Sequence, residues 1–238
     1  MKIGKVFGIG VGPGDPGLLT VKAVKVLKES PVVVAPRASS DGDSFALSIV
    51  RDYLDTSRQK VITAVFPMSM DKSVLDKAWS DAAASVADEL GKGNDVAFLT
   101  LGDPSLYSTY AYILAKIKER LPEAESEIVP GVSSISLAAA RAGVYLGLGQ
   151  ERLAVMPLGR DMDAVRDALT AYDTVVLMKV NRSFPKLVEL LDGMGLAAGA
   201  VYVCRCGTAK EKIIRDLREV KDDDLDYLSL VIIKTART

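Results

Sequence analysis

The sequence predicts an α/β protein of two domains, and three observations carry that prediction. Strand-like and helix-like patterns alternate through the first half, the signature of parallel strands joined by helical crossovers. Several of those strands break off into loops rich in glycine and proline before the next helix begins. In the second half the late strands lie close together, and short spacings imply antiparallel pairing. At 238 residues, with 49% hydrophobic and 26% charged residues, the chain is long enough for two proper cores.

Taken in order, residues 5–10 read as a first strand and 18–28 as a helix, with Leu19, Ala23, Val26 and Leu27 at helical spacing. A second strand, 32–35, lies between Pro31 and Pro36; 44–54 reads as helix and 60–66 as a strand closed by Pro67. Ser73 and Asp76 form a capping-box pattern. The helix it opens buries Leu75, Trp79, Ala82, Val86 and Leu90 and stops at Gly91. Residues 95–101 are the next strand and 108–120 the next helix. The polar stretch 121–127, with Pro122, reads as a linker, which divides the chain into domains 1–120 and 121–238. Beyond it Ile128 and Val129 end a short strand, and 133–142 is a helix of small residues closed by Gly143. Strands are expected at 152–156, 174–179, 200–204, 212–216 and 228–234, with helices near 164–171 and 184–191.

Composition excludes several function classes. Thirty basic and 31 acidic residues leave a net charge of −1, which disfavours nucleic acid as a partner. No apolar run approaches the roughly 18 residues of a membrane span, and glycine appears too early for a signal peptide, so the expectation is a cytoplasmic protein without a membrane partner. Histidine is absent, which removes histidine triads, histidine bases and most zinc sites. The two cysteines, Cys204 and Cys206, make a poor metal site, and no metal is expected. Chemistry must then run on carboxylates, tyrosines, basic side chains, backbone amides or a bound cofactor.

Three loops could carry it. VFGIGVGPGDPGLLT, 6–20, sets four alternating glycines ahead of a helix, but Pro13 stands where a dinucleotide fingerprint needs its third glycine. A stiff proline suits a pocket floor better than a pyrophosphate cradle. VAFLTLGDPSLY, 96–107, ends a strand in Gly102, Asp103 and Pro104, the place where open α/β sheets bind ligands. Asp103 reads either as a turn or cap residue or as a carboxylate projecting into a crevice, and Tyr107 lies close enough to face a ligand. PGVSS, 130–134, sets glycine and two serines at a helix start, where amides and hydroxyls can hold a carboxylate or an adenine edge. Together these loops suggest an adenine-containing ligand.

In this order and spacing, GIGVGPGDPGLLT, LGDPSLYST, VPGVSS, VVLMKV (175–180) and CGT (206–208) resemble the tetrapyrrole methyltransferases of cobalamin and sirohaem biosynthesis, the class III S-adenosylmethionine methyltransferases. The likeness covers nearly the whole chain. VFPM at 65–68, the helix with Leu75 and Trp79, FLTLGDPSLYST and PGVSS resemble the branch that methylates C-20 of precorrin-2 or its cobalt complex. The resemblance implies two αβα domains with S-adenosyl-L-methionine in the cleft between them, S-adenosyl-L-homocysteine as product, a precorrin-type tetrapyrrole as acceptor and a homodimer. It also implies cofactor contacts at Pro13, Leu101, Gly102, Asp103, Leu106, Ser133, Ser134, Met178 and Gly207. The alternatives are another methyltransferase of the family, acting on a different corrinoid carbon or on uroporphyrinogen III, or a non-catalytic module that binds adenine ligands.

Methyl transfer from a sulfonium needs alignment and exclusion of water, and no metal. A proton must then leave the methylated carbon. Asp103 and Tyr107 are the candidate catalytic bases, Asp103 serving alternatively to hold the loop or the cofactor; water or a substrate carboxylate could also take the proton. An acceptor edged with carboxylates calls for cationic rims, for which Arg37, Arg160 and Arg182 are candidates.

Overall fold

A computed structural model describes residues 2–39, 42–69 and 71–235. Two compact units divide between Ser133 and Ser134. In the first, strands β1 (Val6–Gly10), β2 (Val32–Arg37), β3 (Lys60–Val65), β4 (Val96–Thr100) and β5 (Ser126–Val129) form one sheet in the order β3-β2-β4-β1-β5. Every pairing in it is parallel. Helices α1 (Val21–Glu29), α2 (Phe45–Val50), α3 (Lys72–Gly91) and α4 (Tyr110–Arg120) supply the crossovers.

The alternation of side chains along each strand sorts this unit into two cores. Val6, Val32, Val34, Val96 and Phe98 pack with Val86 and Leu90 of α3 and with Tyr110, Ile113 and Ile117 of α4. Ile9, Val33, Ala35, Ala97 and Leu99 pack on the opposite face with Ala23, Val26 and Leu27 of α1 and Ile49 of α2. The helix that follows β1 therefore covers one face and the helix that follows β4 the other. Adjacent strands whose chains leave toward opposite faces create a crevice at their carboxyl ends.

The first unit departs from the sequence reading at three places. Residues 121–127 are not a linker between domains, because β5 pairs with β1 from Val6↔Ser126 to Ile9↔Val129. The division falls thirteen residues later than expected, after residue 133 rather than 120. Polar residues led to that misreading: β5 lies at a sheet edge, where Ser126 and Ile128 are exposed. The capping box at Ser73 is also absent. Asp71 caps α3 by accepting the Ser73 amide at 2.8 Å, while Asp76 pairs with Lys116 at 2.8 Å. Finally, β2 runs through Pro36 to Arg37. The β4 ladder on that side ends at Val34↔Phe98, so the missing amide hydrogen of Pro36 costs it no partner there.

A buried carboxylate braces the amino end of this sheet. Glu89, 4% exposed, accepts from Lys60 at 2.9 Å, Lys92 at 2.8 Å and Asn94 at 2.9 Å. Those hydrogen bonds from Lys92, Lys60 and Asn94 outweigh desolvation and hold its pKa at about 2.

The second unit opens with α5 (Ser134–Ala142) and carries a mixed sheet. Its strands are β6 (Leu153–Pro157), β7 (Thr174–Met178), β8 (Val201–Cys204), β9 (Lys212–Ile214) and β10 (Ser229–Lys234), in the order β6-β7-β10-β8-β9. Only β6 and β7 pair in parallel; β10 runs antiparallel between β7 and β8, and β9 antiparallel to β8. The crowding of late strands is thus borne out. Helices α6 (Met162–Ala171) and α7 (Phe184–Gly193) bury Val165, Leu169, Phe184, Leu187 and Leu191 against Val175, Leu177, Tyr202, Val231 and Ile233. Among the described residues no helix is long and apolar enough to cross a membrane, and no group of histidine, cysteine, aspartate or glutamate could hold a metal ion.

Candidate functional site

In the first unit the loops after β1, β4 and β5 meet at the carboxyl edge of the sheet. Gly12 and Gly102 form an isolated antiparallel bridge, with Gly102 donating to Gly12 at 2.8 Å and Gly12 to Gly102 at 3.3 Å. Val11 donates to the Thr100 carbonyl at 2.9 Å, which draws the first loop over the end of β4. Backbone crowding sets the residue types. A Cβ on Gly10 would stand 2.5 Å from the Gly131 nitrogen, and one on Gly131 would stand 2.3 Å from the Gly102 carbonyl oxygen. Any side chain at either position would force two loops apart. Gly102 adopts φ +71°, which L side chains rarely tolerate.

Asp103 fastens the junction. One carboxylate oxygen accepts the Ser105 amide at 2.8 Å and the Ser105 hydroxyl, the turn role weighed from the sequence. The other accepts the Gly131 amide at 2.9 Å, from the loop after β5. Burial pushes its pKa up, but the Ser105 hydroxyl and the Gly131 and Ser105 amides more than offset this, leaving it below the ordinary aspartate value. It is an ionised, hydrogen-bonded carboxylate rather than one tuned upward toward neutral pH.

Around this knot Pro13 is buried, and Leu101, Leu106 and Ser133 are half-buried. Leu106 donates to the Asp103 carbonyl at 3.3 Å, and Tyr107 follows with φ +49° and 47% exposure. Tyr107, Ser108, Tyr112 and Ile128 line an open groove of about 540 Å³ along α4 and the β5 edge. Pro13, Leu101, Gly102, Asp103 and the 130–133 segment therefore belong to one neighbourhood, although they come from three parts of the chain.

In the second unit, Ser134 is the first residue of α5. Met178 ends β7 and pairs with Leu230, while Cys204 ends β8 and pairs with Ser229. The two strand ends thus flank the start of β10, and the segments leading to Lys179 and Gly207 leave the same end of the sheet. Both turns are unusual: Lys179 has φ +59°, Arg205 +47° and Gly207 +81°. The Gly207 amide donates to Glu211 at 2.7 Å, and Arg205 is ion-paired with Asp226 at 2.7 Å. Burial pushes the neighbouring Cys206 thiol up to about 12, which makes it an inert core residue.

The three arginines proposed for anionic groups differ in setting. Arg160 and Arg182 are exposed, whereas Arg37 is half-buried with its Nε–H inaccessible and without an acceptor among the described residues. Sequence reading missed Gly10 and Gly131 as the points of backbone contact. Their signal was the glycine-after-proline in PGVSS and the second glycine of the first loop.

A family model described as tetrapyrrole (corrin/porphyrin) methylases matches residues 5–221. The chain belongs to this family. Among other tetrapyrrole methylases, the cobalt-precorrin-2 C(20)-methyltransferase of Salmonella typhimurium is 38% identical over 231 residues, covering 97% of this chain and 96% of the relative. A probable cobalt-precorrin-2 C(20)-methyltransferase of Methanocaldococcus jannaschii is 39% identical over 232 residues, with the same coverage. The precorrin-2 C(20)-methyltransferase of a Sinorhizobium species is 32% identical over 240 residues, covering 97% and 95%. Among solved structures, a cobalt precorrin-4 methyltransferase superposes with TM-score 0.73 at 21% identity, covering 97% of this chain and 94% of that one. A uroporphyrin-III C-methyl transferase of Thermus thermophilus complexed with S-adenyl homocysteine superposes with TM-score 0.65 at 24% identity, covering 97% and 92%. These two structures establish the shared fold of this tetrapyrrole methylase.

Proposed function

We propose that this tetrapyrrole methylase transfers a methyl group from S-adenosyl-L-methionine to C-20 of precorrin-2 or cobalt-precorrin-2 in corrin-ring biosynthesis. The observation that carries it is identity of 38% and 39% with two C(20)-methyltransferases across 97% of this chain. By the family resemblance, the working form is a cytoplasmic homodimer, which sedimentation of the purified protein tests.

The residues of the first unit fit a nucleoside ligand bearing a sulfonium. Glycine loops bring main-chain carbonyls and amides to the carboxyl edge of β1 and β4, and half-buried Leu101 and Leu106 offer apolar contact. When bound, S-adenosyl-L-methionine supplies an already activated methyl group, so the chain needs to align, desolvate and remove a proton. By the family resemblance, Pro13, Leu101, Gly102, Asp103, Leu106, Ser133, Ser134, Met178 and Gly207 would contact the donor. Asp103 would hold the loop after β4 to the loop after β5 through Gly131, while the Gly12–Gly102 bridge joins the loop after β1. The three hydrogen bonds of Asp103 would have to rearrange before it could accept a proton from C-20. Tyr107, exposed beyond the loop, is the other candidate for that step.

Anaerobic incubation with labelled S-adenosyl-L-methionine and a panel of precorrin-2, cobalt-precorrin-2 and uroporphyrinogen III tests the assignment. Label is expected on precorrin-2 or its cobalt complex. Transfer to uroporphyrinogen III alone would overturn the acceptor, and calorimetry showing no binding of S-adenosyl-L-homocysteine would overturn the whole class.

A further inference from the structure

Resting on the proposed function above, we infer that Arg37 is the carboxylate-binding residue of the first unit. Arg37 ends β2, where its carbonyl accepts the Phe66 amide at 2.8 Å. β3 pairs with it on one side, at Arg37↔Val65, and on the other side β2 pairs with β4 as far as Val34↔Phe98. Continued by three residues, that register sets Arg37 level with Leu101, at the mouth of the loop that Gly102 and Asp103 build. Val33 and Ala35 lie in the core beneath α1 and α2, and alternation assigns Arg37 to that same face, where Leu101 also packs. Arg37 thus ends its strand at the carboxyl edge of the sheet, beside the strand that carries the Gly102–Asp103 loop.

Its hydrogen-bonding state is the telling feature. The Nε–H is buried and has no acceptor among the described residues, in contrast to the main-chain carbonyl, which is paired with Phe66. Buried side-chain donors are nearly always satisfied, and a charged one left alone loses hydration without compensation. The other half-buried cations of this unit have partners: Lys5 and Lys116 are ion-paired with Glu127 and Asp76, and Lys118 donates to the Ala124 carbonyl. A carboxylate matches the unmet need, because Nε–H and one Nη–H present two parallel donors to its two oxygens. Both ligands of the proposed reaction carry such groups: the amino-acid end of the donor and the acidic side chains of the acceptor.

Arg37→Met and Arg37→Lys separate the possibilities. The readouts are the melting temperature of ligand-free protein, the calorimetric Kd for S-adenosyl-L-homocysteine, the Kd for the air-stable polycarboxylate uroporphyrin III, and KM and kcat with precorrin-2. Arg37→Met is expected to melt at or above the wild-type temperature, since it removes a buried donor that has no acceptor among the described residues. It should nonetheless lose about ten-fold or more in affinity for one ligand. A raised KM for precorrin-2 and raised Kd for uroporphyrin III, with the S-adenosyl-L-homocysteine Kd unchanged, would assign the acceptor; the reverse would assign the donor. Arg37→Lys should recover part of the loss, having charge without the fork. Wild-type affinity of Arg37→Met for both ligands would overturn the inference. If Arg37→Met does not fold, unchanged affinities of Arg37→Lys for both ligands would overturn it equally. Should wild type bind these ligands but fail to methylate precorrin-2, the proposed function would fall while the binding comparison still decided the role of Arg37.

Discussion

The Asp103 carboxylate accepts the Gly131 amide at 2.9 Å and thereby joins the loop after β4 to the loop after β5. These residues are 28 positions apart, with a whole helix between them. The contact converts three independent strand ends into one surface, because Gly102 is already bridged to Gly12.

Replacing Asp103 by Asn should weaken that junction more than it harms the chemistry. The amide group can keep one acceptor but sets a donor against either the Gly131 or the Ser105 amide. Calorimetry should show a several-fold loss of S-adenosyl-L-homocysteine affinity, about 1 kcal/mol, with a lowered melting temperature. A kcat falling by a hundred-fold or more at saturating ligands, with affinity unchanged, would instead make Asp103 the base.

Tyr107→Phe tests the other candidate. Its side chain is exposed, so folding should be unaffected, and S-adenosyl-L-homocysteine affinity should stay at the wild-type value. Turnover of precorrin-2 is expected to fall by about ten-fold or more if the hydroxyl handles the proton. Wild-type kcat in stopped assays would remove Tyr107 from the reaction.

Gly131→Ala should be severe. Its Cβ would stand 2.3 Å from the Gly102 carbonyl oxygen and 2.8 Å from the Gly10 Cα, and both neighbours are backbone. Overpacking of this kind costs about 1–3 kcal/mol. Urea titration should show that loss, together with reduced cofactor binding.

Glu89 is one source of acid sensitivity in the first unit. Its pKa is depressed to about 2 in the folded state by hydrogen bonds from Lys92, Lys60 and Asn94, against an unfolded value of 4.5. The stabilisation is therefore fully present above pH 4.5 and is lost as pH falls toward 2. Both lysines are more than half exposed, so screening limits the contribution to about 1–2 kcal/mol. Glu89→Gln should lower stability by that amount at pH 7 and flatten the acid limb of a melting-temperature profile between pH 4.5 and 2.

Local rules carried much of the fold. Val32 to Ala35 and Val96 to Leu99 are apolar throughout, as strands buried on both faces require, and the structure has them as β2 and β4. The glycine and proline loops following β1, β4 and β5 marked the candidate site for the same reason: they interrupt apolar runs abruptly. Short-range competition was harder to read. Asp71 and Ser73 are both good caps, and in the structure it is Asp71 that accepts the Ser73 amide. Polar residues 121–127 looked like a boundary because edge strands, with one exposed side, share the composition of linkers.

The sequence by itself determined most of the strands and helices and the family to which the chain belongs, since periodicity, turn residues and ordered motifs are local properties. Tertiary structure alone decided that β5 completes the first sheet, that Gly10, Gly102 and Gly131 touch through bare backbone, and that the Arg37 Nε–H is buried without an acceptor among the described residues. Those facts depend on which strands become neighbours and in what register, and pairing between segments dozens of residues apart leaves no periodic trace in either one.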